Sequence, residues 1–245
     1  GAWRRDLRAS GDRAAMGRVV ASEQESFLGL NAGFEAQRSL TSLVNATTEI
    51  WGVLRPRASL ATSFQLTRDP NAPTPARAEG DSAGAFRIPT SFNNNRRTDL
   101  GLQIDVRRAG SRVFGDSATG GRLARLIQPI DLSFGRTIAS VFSRTGIDPS
   151  TGYAFAVAGF GDFRQQNGVP AQSASDVRNL SARGGANLPL GLRLGVDYQW
   201  SRGETWTIRT GQQVPIHTRN RLWPGGSIAW SYAPRRVLSR LLTSI

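Results

Sequence analysis

The sequence predicts an all-β protein: an antiparallel transmembrane β-barrel, or a contiguous sector of a larger one. Three observations predict it. Residues Leu192-Arg193-Leu194-Gly195-Val196-Asp197-Tyr198-Gln199-Trp200-Ser201 alternate apolar and polar without a miss, and successive strand side chains point to opposite faces. The run is about ten residues long, the length a tilted strand needs to cross a bilayer. The same alternation recurs along the chain, and no run approaches the ~18 continuous apolar residues of a membrane helix.

Composition agrees with that class. At 245 residues the chain suffices for one large all-β domain or two smaller ones. Hydrophobic residues make up 39%, low for a globular enzyme and expected of a barrel wall, where only every second strand residue must be apolar. There is no cysteine, which removes disulfides and thiolate metal sites and suits a bacterial outer-membrane protein. All 31 basic residues are arginine, and 18 acids leave a net charge of +13. Arginine-biased codon usage accounts for such a balance without any function; an anionic partner is the functional reading.

Taken in order, residues 1–22 carry Arg4, Arg5, Arg8, Arg13 and Arg18 without alternation and read as an arginine-rich arm or loop remnant. Barrel strands are expected over 23–234. Leu28, Leu30, Ala32, Phe34 and Ala36 form one face of the first; Ala58, Leu60, Thr62, Phe64 and Leu66 that of a second; Leu100, Leu102, Ile104 and Val106 that of a third. Ile130, Leu132 and Phe134 begin another, followed by Tyr153, Phe155 and Val157. Leu180, Ala182 and Ala186 precede the run at Leu192, and Ile228, Trp230 and Tyr232 close the series. Residues 40–54 and 205–214 each supply a further candidate. Residues 235–245 form a short C-terminal segment, helical or a truncated strand, with Val237, Leu238, Leu241 and Leu242 on one side. The chain opens at Gly1-Ala2-Trp3 without a signal core and ends without an aromatic-terminated strand, so it reads as a piece of something longer.

Connections are of two kinds. Asn187-Leu188-Pro189-Leu190-Gly191 is a short reversal. Residues 69–90, Asn93-Asn94-Asn95-Arg96-Arg97 and Phe163 to Asp176 read as long polar loops. Short turns at one end and long loops at the other are the habit of transmembrane barrels. Tyr153, Tyr198, Trp200, Trp206, Trp223, Trp230 and Tyr232 lie at or near expected strand ends, where amphipathic rings form girdles at headgroup level; the core of a β-sandwich would use such rings as well.

Arg107, Arg136, Arg178 and Arg193 are the candidate lumen-facing residues, placed there to favour passing anions. Arg96-Arg97, Arg219, Arg221 and Arg235-Arg236 fall in expected loops or strand ends and suit lipid or lipopolysaccharide phosphates. No recognition helix or stacking platform accompanies these arginines, so nucleic acid is not an expected partner. Catalysis has little support. Gly80-Asp81-Ser82-Ala83-Gly84 matches the nucleophile-elbow string, but the residues before it are loop-like, and Gly115-Asp116-Ser117-Ala118 repeats the texture. One histidine, His217, and no cysteine cannot make the usual zinc sites, and no Walker or dinucleotide sequence follows a strand. No enzyme activity and no cofactor are expected.

Leu126-Ile127-Gln128-Pro129-Ile130-Asp131-Leu132-Ser133, Arg209 and Trp223-Pro224-Gly225-Gly226-Ser227-Ile228-Ala229-Trp230 place proline before alternating, aromatic-rich runs. In this the chain, over residues 45–235, resembles the outer-membrane translocon barrel of the type nine secretion system, the gliding-motility cell-surface family. The likeness is one of strand texture, and those barrels are many times longer than this chain. The resemblance implies a bacterial outer-membrane location and a sector of the wall of a wide, non-catalytic pore for secreted proteins. It further implies plug and cap proteins and the remainder of a larger barrel as partners, beside outer-membrane lipid.

The expectation is therefore a wall of roughly eight to twelve strands serving secretion across an outer membrane. A small anion-selective porin or lipid-handling barrel is one alternative, told apart by closure between first and last strands. A soluble extracellular β-sandwich binding polysaccharide or a surface partner is another, told apart by a second sheet over the apolar faces.

Overall fold

The computed structural model describes residues 1–6, 19, 23, 25–27, 30–72, 76, 86–114, 124 and 126–230. Its strands are β1 (Ala2–Asp6), β2 (Glu25–Phe27), β3 (Leu30–Thr47), β4 (Leu54–Arg68), β5 (Thr90–Ile104), β6 (Ile130–Thr145), β7 (Gln165–Gln166), β8 (Val169–Pro170), β9 (Ser173–Asn187), β10 (Leu192–Arg209) and β11 (Gln212–Trp230). Helices α1 (Val106–Phe114), α2 (Thr151–Ala154) and α3 (Phe160–Arg164) lie in the connections. The main sheet runs β1-β3-β4-β5-β6-β9-β10-β11, with β2 on β3, and β7 and β8 pair separately. Every ladder is antiparallel. The protein is thus all-β, as expected. Among the described residues no ladder joins β11 back to β1, so the sheet is open.

The strands are longer than the alternation suggests. Seven of them hold 15–19 residues, or ~50–60 Å. Residues 30–36 and 40–47, expected in separate strands, belong to the single strand β3. Asn93 to Arg97, expected as loop, sit in mid-strand because β4 and β6 pair with them from both sides; two-sided pairing outweighs the low strand preference of asparagine. Residues 205–214 are no separate strand. They are the end of β10, a two-residue turn at Thr210 and Gly211, and the start of β11. Positive φ at both turn residues (48° and 80°) matches the right-handed twist of the strands it joins.

At the other end of the sheet, which we call the turn end, β3–β4 and β9–β10 reverse within a few residues. The division of loops by length is incomplete. The β5–β6 connection, with α1, is long at the turn end, whereas the Thr210–Gly211 turn is short at the far end. The arm over 1–22 also needs correction, because Ala2–Asp6 forms an edge strand on β3. Tyr232, residues 235–245, Gly80 to Gly84 and Gly115 to Ala118 lie outside the described residues.

Residues 146–172, between β6 and β9, fold into a small lobe. Tyr153, Phe155 and Val157 are not a strand. Ser150 Oγ accepts the Tyr153 backbone N–H at 3.2 Å and starts α2, so the apparent alternation is a helical turn with Tyr153 inward and Phe155 and Val157 exposed. Phe163 to Gln172, likewise expected as loop, supplies part of α3 and the β7–β8 hairpin. The lobe packs on one face of the sheet, where Phe64, Leu66, Phe92, Ile138 and Phe142 meet Tyr153 and Phe163 in the largest core cluster.

Candidate functional site

Strand register divides the main sheet into two chemically different faces. Directly opposed residues share a face. One row reads Ala58–Leu100–Phe134–Leu180–Trp200, and the next toward the turn end reads Pro56–Leu102–Leu132–Ala182–Tyr198. Beyond it lies Leu54–Ile104–Ile130 and, on the later strands, Gly184–Val196–Gly226. Leu192 and Leu194 against Trp230 and Ile228 complete this belt. Many of its side chains are open to the surroundings: Leu100 is 47% accessible, Val196 55% and Ile228 77%. On β10 the belt runs from Leu192 to Trp200, eight steps of ~3.3 Å, or roughly 20–26 Å depending on tilt.

The opposite face is mainly polar, with Leu43, Val141, Val177, Val214, Ile216 and Leu222 as apolar exceptions. Its register joins Arg57–Gly101–Ser133–Ser181–Gln199 and Ser59–Asp99–Gly135–Asn179–Ser201. A depression of about 520 Å³ opens there, lined by Arg57, Arg97, Asp99, Ser133, Asn179 and Ser181 among others. Side chains crowd over glycines on this face. A Cβ on Gly101 would collide with the Arg57 side chain, one on Gly203 would lie 2.5 Å from Thr218 Oγ1, and one on Gly195 would lie 2.5 Å from Ser227 Oγ. At these positions a glycine leaves room for the side chain of its cross-strand neighbour to lie over the backbone.

Above the belt, toward the lobe, the apolar face becomes charged. The row next to Phe134–Leu180–Trp200 is Thr98–Arg136–Arg178–Arg202–Arg219. Arg136 donates to both oxygens of Asp176 (2.9 and 2.7 Å), and Arg178 donates to Asp176 Oδ2 at 2.8 Å. Asp176 is almost buried, its arginine partners half-exposed. One row further on, Arg96 donates to the carbonyls of Ala156 (2.8 Å) and Ala158 (3.1 Å), which ties the lobe to β5.

Tyr153 is the centre of the lobe. Its ring is fully buried among Phe64, Phe92, Phe142 and Phe163, at centroid separations of 5.1–6.1 Å, mostly edge to face. Its hydroxyl shares a 2.8 Å hydrogen bond with Ser140 Oγ, and Asn94 Nδ2 donates to its carbonyl. Burial pushes the phenol well above its ordinary range, the Ser140 bond opposing.

The expected site residues separate accordingly. Arg193 lies on the polar face. Arg136 and Arg178 do not; they share a parity with Phe134 and Leu180 and stand on the belt side. Arg107 is on α1, outside any strand, because its chain leaves the sheet after Ile104. Among the rings, Tyr198, Trp200 and Trp230 belong to the belt face, and Trp223 lies in the β11 irregularity between Leu222 and Gly225, the partners of Gln199 and Asp197. Tyr153 is core, since Phe64, Phe92 and Phe142 of the sheet and Phe163 of the lobe enclose it. Trp206 packs at the edge of that same core under Arg164, whose guanidinium carbon sits 3.5 Å from the ring centroid. Arg219 and Arg221, expected in loops or at strand ends, lie within β11, because β10 pairs with them; Trp51, exposed in the β3–β4 turn, and Arg202, opposite Arg219, were not anticipated. The signal for Arg202 was available as its even spacing from Tyr198 and Trp200. His217 lies opposite Glu204 on β11, exposed. Comparison with known proteins brings no matching family model, curated sequence or solved structure.

Proposed function

We propose that this chain forms wall of a transmembrane β-barrel in a bacterial outer membrane, its apolar face toward lipid and its polar face toward a water-filled lumen. One observation carries the reading: the polar face is the indented one, and the apolar face is the open one. A soluble sheet buries its apolar side under another layer. Here the lobe covers only the part of that side away from the turn end, and among the described residues no second sheet covers the belt. A porin-like wall has the reverse arrangement, apolar outside and polar within, with an apolar band about 25 Å tall.

The open sheet fits a sector of a larger wall, whose missing neighbours would satisfy the edges of β1 and β11; unpaired backbone groups are not tolerated in hydrocarbon. Protein translocation is the passage that the resemblance to the type nine translocon implies. The lumen side of β4 to β10 carries Arg55, Arg57, Arg97, Arg183, Arg193 and Arg209 against Asp99, Asp131 and Asp197. That excess of positive charge favours acidic cargo or anions in transit.

The experiment is detergent dependence. Circular dichroism and size exclusion of the full chain are run in buffer and in micelles. Folding only in micelles supports the wall reading; a monodisperse β-rich monomer in plain buffer would overturn it in favour of a soluble sandwich.

A further inference from the structure

We propose that the arginine row bordering the belt is a shelf for the phosphate groups of the lipid leaflet that surrounds it. The inference rests on the wall reading and adds a ligand to it. Register places Arg136, Arg178, Arg202 and Arg219 at directly opposed positions on four neighbouring strands, all on the belt face. Neighbouring strands lie ~4.8 Å apart, so the row spans ~14 Å. Like charges directly opposite one another destabilise a sheet unless an anion compensates them.

For half of the row the protein supplies the anion. Asp176 binds Arg136 and Arg178 together. For the other half it does not. Arg202 and Arg219 are exposed and, among the described residues, make no hydrogen bond or ion pair. The nearest acid on β10, Glu204, accepts the indole N–H of Trp206 at 2.6 Å. Two opposed arginines that no ion pair holds therefore sit one row above Leu180 and Trp200, where the apolar belt ends.

That position decides the ligand. Lipid that covers the belt brings its headgroup phosphates to the belt's margin, and tryptophan rings favour the same level. Guanidinium groups bind phosphate oxygens in pairs, with charge assistance. Arg221, opposite Trp200, extends the positive face of β11 into the uppermost apolar row.

The test is lipid selectivity. The full chain is reconstituted in phosphatidylcholine vesicles, and motionally restricted lipid is measured by electron spin resonance with spin-labelled phosphatidic acid or phosphatidylcholine. Preference for phosphatidic acid of at least about five-fold is expected, the effect of about 1 kcal/mol from a single uncompensated arginine near a surface. The double variant Arg202→Gln/Arg219→Gln should lose most of it, and Arg202→Lys/Arg219→Lys should keep part. Arg193→Gln, on the opposite face, should keep all of it. Equal selectivity in the double-glutamine variant, or equal loss in Arg193→Gln, overturns the shelf while restricted lipid still shows a wall in the membrane. Loss of the preference to inorganic phosphate at matched ionic strength overturns lipid as the occupant. Absence of restricted lipid of either kind overturns the wall reading itself, and the shelf with it.

Discussion

Arginine placed in the middle of the belt separates a lipid-facing surface from one merely left open to water. Val196 is the position of choice. It lies four residues from both Leu192 and Trp200, ~13 Å along the strand from each margin, and is 55% accessible with Gly184 and Gly226 as its cross-strand neighbours. In lipid, Val196→Arg should cost about 2–4 kcal/mol, the penalty for arginine at the midplane of a barrel's outer face. That is roughly a 30- to 800-fold change in the folding equilibrium. Leu180→Arg, one row below the arginines, should cost only ~0–1 kcal/mol, because depth sets the penalty. Gln199→Arg, on the polar face, should stay within ~0.5 kcal/mol. The assay is equilibrium urea unfolding of the full chain in phosphatidylcholine vesicles, followed by tryptophan emission. Equal effects at Val196 and Gln199, or a Val196→Arg penalty below ~0.5 kcal/mol, would refute a lipid-facing belt, since a half-open valine in water accepts arginine at little cost.

Three further outcomes follow from the geometry. Tyr153→Phe should lower stability by ~1 kcal/mol through the lost Ser140 hydrogen bond, and Tyr153→Ala by ~3–5 kcal/mol through the cavity left among four phenylalanines; denaturant melts check both. Gly203→Ala should cost ~1–3 kcal/mol because its Cβ meets Thr218 Oγ1, and Thr218→Ala should relieve most of that in a double-mutant cycle. Arg164→Met should loosen the lobe from β10 by ~1 kcal/mol and shift Trp206 emission, because the guanidinium lies over that ring. An unchanged emission maximum would remove that contact from the account.

The sequence by itself determined the strand class and, for single strands, the division into faces. Leu192 to Ser201 keeps its alternation in the structure because side-chain direction in a strand is local and has period two. The belt of Leu100, Leu102, Phe134, Leu180 and Trp200 could be read strand by strand for the same reason. The lumen-facing expectation for Arg136 and Arg178 went against parity, since both are evenly spaced from the apolar residues of their own strands and so stand on the belt side. Other features were decided only between strands. Asn93 to Arg97 became sheet because β4 and β6 supply ladder partners that no local propensity reveals. Tyr153 left the series of strand-end aromatics because Phe64 and Phe92, far away in the chain, enclose it together with Phe142. The arginine row exists only through register: Arg136, Arg178, Arg202 and Arg219 are distant in sequence, and hydrogen-bonded ladders bring them to one level. A one-residue slip in any ladder would turn a whole strand over and break the row, so its existence belongs to the tertiary structure.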